Sequence, residues 1–326
     1  MYAELAETNE GNIFFAPGSI HTVMSMVYAG ARGNTRQEMH EIMGFPAGGE
    51  PIKTGRDLDR WPAASRPAGD GPPLQMNDLH DGYKILLTRT KPPKGAGYAL
   101  HTANALWGQK GYTRLGEFLE TMNGSYGAGL REVDFKGAPE GARKTINAWV
   151  EDQTADKIKE LFKPKKIDSD TRLVLANAIY FKGDWASKFD KSKTHDAPFK
   201  LSPDKTIDVP TMYQDAEFSS ARNDEVWALS MPYKGDDLSM VVLLPHRVHG
   251  LADVEKGLTL EKLAALLGKL VKNDRPVFLP KFTITSDIDL APVLHTMGLR
   301  DAFTLCAADF SGINGRRTLF VGPAVH

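Results

Sequence analysis

The residues able to do chemistry in this chain are scattered, and their spacing argues mostly against catalysis. His40-Glu41 begins as a zinc-protease helix would, but that motif needs its second histidine at position 44, which is Gly44. The pair reads instead as the exposed side of a helix. His246 and His249, close to Pro245, read as a solvated turn rather than a metal site. Cys306 is the single cysteine, so an internal disulfide and a multi-cysteine metal centre are excluded. It reads as a small buried hydrophobe rather than a nucleophile. The chain has no phosphate-binding glycine loop, dinucleotide fingerprint, GxSxG elbow or complete HExxH. A Ser-His-Asp triad is recognised by geometry and not by order, and nothing in the sequence points to one. Asn123-Gly-Ser125 matches a glycosylation sequon, although Asn-Gly after a helical pattern is also a natural stop. Lys84, Arg89, Lys91 and Lys94 could attract a sulfated polysaccharide. They do not share one face at helical spacing and read as solvated surface.

One polar residue stands out by its surroundings. Asn177 lies inside Leu173-Val-Leu-Ala-Asn-Ala-Ile-Tyr-Phe181, a run closed by Lys182-Gly183 and Trp185. Continuous apolar runs of this kind read as strands covered on both faces. A buried amide there needs partners, because leaving it unpaired costs on the order of 1–3 kcal/mol. Asn177 is then either a polar fastener inside a dry strand or a strand-end residue bonded to local backbone.

The elements around it follow from periodicity. Ser19 can cap a helix carrying Ile20, Val23, Met24 and Val27, stopped by Gly30 and Gly33. Thr35-Arg-Gln-Glu38 has the form of a capping box for a helix that ends at Gly44. Residues 45–75 are rich in Gly and Pro and read as a long surface loop. Strands are expected over 99–107, 131–135 and 276–284, and helices over 138–152, 154–162, 259–271 and 288–297. A helix face is expected from Leu115, Phe118, Leu119 and Met122. A hairpin is expected from 227–233 and 238–244. Mixed elements without a regular βαβ beat indicate an α+β fold.

Bulk properties agree with a globular chain. It has 326 residues, 41% hydrophobic and 25% charged. Forty Lys and Arg nearly cancel 41 Asp and Glu, so composition gives no reason to invoke nucleic acid or an acidic membrane. No apolar run is long enough to span a bilayer as a helix, and the start Met1-Tyr-Ala-Glu-Leu-Ala-Glu is not a signal peptide.

Several segments, in order, resemble the serpins: Asn12-Ile-Phe-Phe-Ala-Pro-Gly-Ser-Ile20, Gly30-Ala-Arg-Gly-Asn-Thr35 and Asn104-Ala-Leu-Trp-Gly-Gln-Lys-Gly111. Val133-Asp-Phe135, Ile146-Asn-Ala-Trp-Val150 and Asn177-Ala-Ile-Tyr-Phe-Lys-Gly183 with Trp185 continue the match. Leu279-Pro-Lys-Phe282, Met297-Gly-Leu299 and Ala308-Asp-Phe-Ser-Gly-Ile313 extend it nearly to the end. The resemblance implies one serpin domain over 1–326, with a large mixed central β-sheet and further sheets and helices around it. It implies that Ser19, Asn177 and His326 belong to a polar shutter under that sheet, and that Trp185 marks the breach where a loop enters. Ala16 stands where the family usually has a serine, and Asp156 where a glycine is common.

The function implied is suicide inhibition, without a cofactor and without catalysis. A serine or cysteine protease cuts an exposed loop, is acylated on it, and is distorted as the loop inserts into the main sheet. Loop insertion is the serpins' own known form of strand addition and strain release, so it comes with the resemblance and not from the residues themselves. The resemblance places the hinge, the reactive bond and further strands after His326, and most of a first helix before Asn12. The 326-residue chain alone is therefore expected not to inhibit, to act as a monomer, and to sit outside the cell or in a periplasm. A protease complex surviving boiling in detergent would contradict the first point. A non-inhibitory carrier, chaperone or storage role of the same fold is the alternative.

Overall fold

The computed structural model describes residues 1–8, 11–46 and 76–326. Most of the surface loop expected over 45–75 therefore lies outside the described residues. Its first residue is not surface at all: Phe45 is fully buried, packed on the rings of His21 and Tyr28.

The helices are α1 (Tyr2–Thr8), α2 (Pro17–Gly30), α3 (Gly33–Met43), α4 (Met76–Arg89), α5 (Gly116–Tyr126) and α6 (Pro139–Gln153). They continue with α7 (Leu251–Gly257), α8 (Leu260–Leu267), α9 (Leu290–Met297) and α10 (Ser311–Asn314). The strands are β1 (Tyr98–Gln109), β2 (Leu130–Val133), β3 (Leu173–Gly183) and β4 (His195–Ser202). They continue with β5 (Lys205–Arg222), β6 (Val226–Pro232), β7 (Ser239–Pro245) and β8 (Val271–Pro280).

Two sheets organise the molecule. The first is mixed, in the order β2-β1-β3, with β2 parallel and β3 antiparallel to β1. The second is antiparallel, in the order β4-β5-β6-β7, with β8 also paired to the long β5. The α+β class thus holds. The mixed sheet is narrower than expected, with three strands among the described residues. The extended segment before His326 pairs instead with residues 288–290. The Ile288 and His326 backbones exchange hydrogen bonds of 2.8 and 2.9 Å, and Leu290 N–H reaches Ala324 O at 2.7 Å.

Both faces of β3 are covered, as its composition requires. Val174 and Ala176 point to a cluster with Phe135, Ala142 and Ile146 under α6. Leu173 and Leu175 point to the main core, built from α2, α3, α5 and α9. By the two-residue alternation of a strand, Asn177 shares the face of Leu175 and looks toward α2.

Several local expectations are corrected by tertiary use of the same side chains. Ser19 does not cap α2. Ala16 occupies the cap without a side-chain bond, and Pro17 opens the first turn, where its missing N–H costs nothing. Thr35 and Glu38 form no capping box for α3, whose cap is Arg32. Thr35 Oγ1 accepts from Asp309 N–H at 2.9 Å, and Glu38 Oε2 accepts from Arg300 and Asp301 N–H, both at 2.9 Å. These groups tie α3 to the 300–309 segment. The helix expected over 154–162 is absent, because Ala155 and Asp156 have φ of +49° and +60° and reverse the chain. The helix expected over 259–271 stops at Leu267, and the next strand begins at Val271 and ends at Pro280 rather than running to Ile284. Cys306 is exposed rather than buried. The Asn123-Gly124 step lies inside α5, which ends at Gly127 with φ +63°.

Candidate functional site: a polar latch under the mixed sheet

Asn177 and Asn104 face each other directly across the β3–β1 ladder. Asn177 Nδ2 donates to Asn104 Oδ1 at 2.7 Å, and Asn104 Nδ2 donates to Tyr126 O on α5 at 2.9 Å. Ser19, buried on the sheet-facing side of α2, donates its hydroxyl to Asn177 Oδ1. One chain of hydrogen bonds therefore runs from α2 through two strands to the end of α5. Each amide is half-buried, so the bonds replace water rather than merely adding to it.

The network continues beyond the sheet. The Tyr126 hydroxyl and His80 Nδ1 of α4 lie 2.6 Å apart, and Tyr83 hydrogen-bonds His21. Burial dominates their protonation. It pulls the pKa of His80 down to about 4 against a smaller opposing effect of Asp81, and pushes Tyr83 up to about 12 and Tyr126 upward as well.

His326 joins from a different direction. Its Nε2 accepts the Ala16 N–H at 2.8 Å, at the entry to α2. Accepting requires the neutral ring, and burial lowers its pKa in the same sense. Ser19 and Asn177 are thus in direct contact, while His326 engages the backbone at the start of the helix that carries Ser19. Ala16 contributes its N–H here and has no hydroxyl to add. Asn104 is the member that the residue-level reading missed. A second amide in the middle of an apolar strand, able to pair with the first, was the signal available.

Trp185 sits beyond the C-terminal end of β3. Its indole stacks on Tyr233 at 4.7 Å and 12°, and Tyr233 in turn meets Phe181 edge-on at 4.8 Å. An isolated bridge joins Trp185 to Tyr233. A Cβ on Gly183 would come within 2.6 Å of the Tyr233 ring, so this aromatic cluster requires glycine between its members.

The arrangement is suited to holding strands, not to catalysis. The Ser19 hydroxyl is given to an amide oxygen, and no imidazole among the described residues is bonded to it. Among the described residues no group of three metal-ligating side chains converges, and no helix is long and apolar enough to cross a membrane. His246 and His249 remain on the surface, and His40 Nδ1 contacts the Phe45 carbonyl.

The family model described as Serpin (serine protease inhibitor) matches residues 1–326. The chain belongs to the serpins. It is 38% identical over 324 residues to the leukocyte elastase inhibitor of Equus caballus, covering 97% of this chain and 78% of that protein. It is similar to the structure of ovalbumin from emu (Dromaius novaehollandiae) at a TM-score of 0.88 and 31% identity, covering 99% of this chain and 81% of that one. It is also similar to a loop-inserted structure of a cleaved ovalbumin mutant, at 0.86 and 28%, covering 99% and 83%. This serpin is a protease inhibitor in class and not an enzyme. The relatives lend no support to the extracellular or periplasmic location that the resemblance implied.

Proposed function

We propose that this serpin traps a serine protease of the elastase type, acting as a monomer, by admitting a cleaved loop as a new strand along β3. The observation that carries the reading is the outer edge of β3. One side pairs with β1 over eleven residues, and the other carries no strand among the described residues. Unpaired backbone donors and acceptors on such an edge are a template for strand addition. Asn177, at the middle of that edge, is held from beneath by Ser19, so a strand arriving there must pass a fixed point. Trp185 and Tyr233 mark the end at which entry would begin. The elastase preference is supported by the name of the horse relative.

The test is strand complementation. An extended peptide of alternating Thr and Ala, in about hundredfold excess over its Kd, should stabilise the chain by about 2.7 kcal/mol. Photocrosslinks from it should fall on 173–183. No rise in Tm, or crosslinks confined to β4, β7 or β8, would reject the reading. Peptide uptake without any protease complex when a bait loop is supplied would favour the non-inhibitory role.

A further inference from the structure

The rim of the second sheet carries a feature that serves neither the latch nor strand addition. Arg222 on β5 is directly paired with Trp227 on β6, and Ala216 with Arg275 on β8. These register pairs put Arg222, Ser220, Trp227 and Arg275 on one face. The guanidinium carbons of Arg222 and Arg275 lie 5.2 and 5.4 Å from the centre of the Trp227 ring. His246 meets the same ring edge-on at 5.6 Å. A cavity of about 390 Å³ is lined by Ser220, Ala221, Arg222, Trp227 and Arg275.

The charges here are not balanced. Arg275 Nε donates to Ser220 Oγ at 3.2 Å, and neither arginine forms an ion pair with a described carboxylate. The nearby acids are used elsewhere or point away. Glu225 pairs with Lys262 and Glu217 with Lys272. Glu217 and Asp274 face each other on the opposite side of the sheet. Cation–π attraction to an indole does not consume the N–H donors of a guanidinium, which stay available here apart from the Arg275 Nε–H given to Ser220. His246 gives Nε2 to Asn223 O at 2.7 Å, which leaves Nδ1 toward solvent or a ligand. Two guanidinium groups thus lie over one indole and line one cavity without a carboxylate partner among the described residues.

We propose that this cavity binds a tetrahedral dianion, phosphate or a phosphate monoester, between Arg222 and Arg275. Planar guanidinium forks match the oxygens of such a group two at a time, and Trp227 holds both forks in place. A carboxylate offers one negative charge and two oxygens, against two charges and three or four oxygens here, so it is expected to bind more weakly.

Calorimetric titration of the full chain with inorganic phosphate and with phenyl phosphate, at ionic strength fixed by chloride, tests the assignment. Saturable one-site binding is expected, weakened about tenfold by Arg222→Gln and by Arg275→Gln and unchanged by Lys205→Gln at the far end of β5. Tighter binding of phenyl phosphate identifies a monoester as the occupant, and equal binding identifies the free ion. If Arg275→Gln does not fold, the exposed Arg222→Gln carries the test. No saturable binding, or equal binding by wild type and the arginine variants, overturns the proposal.

Discussion

Acidification should loosen the α4–α5 side of the latch through one residue, His80. Its side chain is only 6% exposed and is packed against the Tyr126 hydroxyl on α5, with Asp81 on its own helix and Arg36 of α3 as the charged groups nearby. Burial places its folded pKa at about 4, against an ordinary value of 6.5. The unfolded chain therefore takes up a proton first as pH falls. Stability contributed by the neutral ring is complete above about pH 7, declines from pH 6.5 to pH 4, and is flat below. A gap of about 2.5 pH units at roughly 1.36 kcal/mol each gives a loss of about 3 kcal/mol across that window. Urea unfolding at intervals from pH 7.5 to pH 4 measures it. His80→Gln retains a hydrogen-bonding side chain without the titration and should flatten the profile by that amount. A residual slope of the same sign should remain from His326, whose pKa is also lowered. Parallel profiles for wild type and His80→Gln would refute the reasoning.

Replacing Asn177 with Ala strands the Ser19 hydroxyl and the Asn104 amide together, and should cost roughly 1–3 kcal/mol by chemical denaturation. In a double-mutant cycle with Ser19→Ala the two losses should fall short of additivity, since they share one bond. Gly30→Ala should lower Tm more than a surface substitution does, because the new methyl would overlap the Ile313 side chain at the α2–α10 contact. The expected cost is about 1–3 kcal/mol, and a smaller penalty for the same change in an Ile313→Ala background, which removes the overlapping Cγ1, would confirm the cause.

Much of the architecture was legible wherever one element decided its own fate. The apolar run 173–181 formed the strand it promised, the 226–245 hairpin closed in register, and Gly44 and Gly298 capped helices in the left-handed conformation. The misses have a common physical origin in partners far away in sequence. Thr35 and Glu38 fit a local cap on paper, yet their oxygens are taken by backbone donors at 300–309. Ser19 likewise looked like a cap and serves β3 instead. The eighteen-residue β5 was invisible because Pro210 and the buried polar Thr211 and Gln214 break its apolar pattern as it passes from one neighbour to the next. The Asn177–Ser19 contact was anticipated only through resemblance. Placing Asn104 opposite Asn177 requires the β1–β3 register, which no local pattern encodes.

The return path after α6 has a mechanical meaning. Arg143 Nη1 and Asn147 Nδ2 both donate to Phe162 O, at 2.6 and 2.9 Å, and Phe162 N–H returns to Asn147 Oδ1 at 2.9 Å. Thr154 folds its hydroxyl back to Val150 O at 2.8 Å and receives Ile158 N–H at 3.1 Å. The helix and its trailing segment are thus stitched to each other more firmly by polar bonds than to the strands below, where apolar side chains meet. Anything that displaces this cover would shift it as one stiff plate sliding over a greasy floor, with its own seams intact.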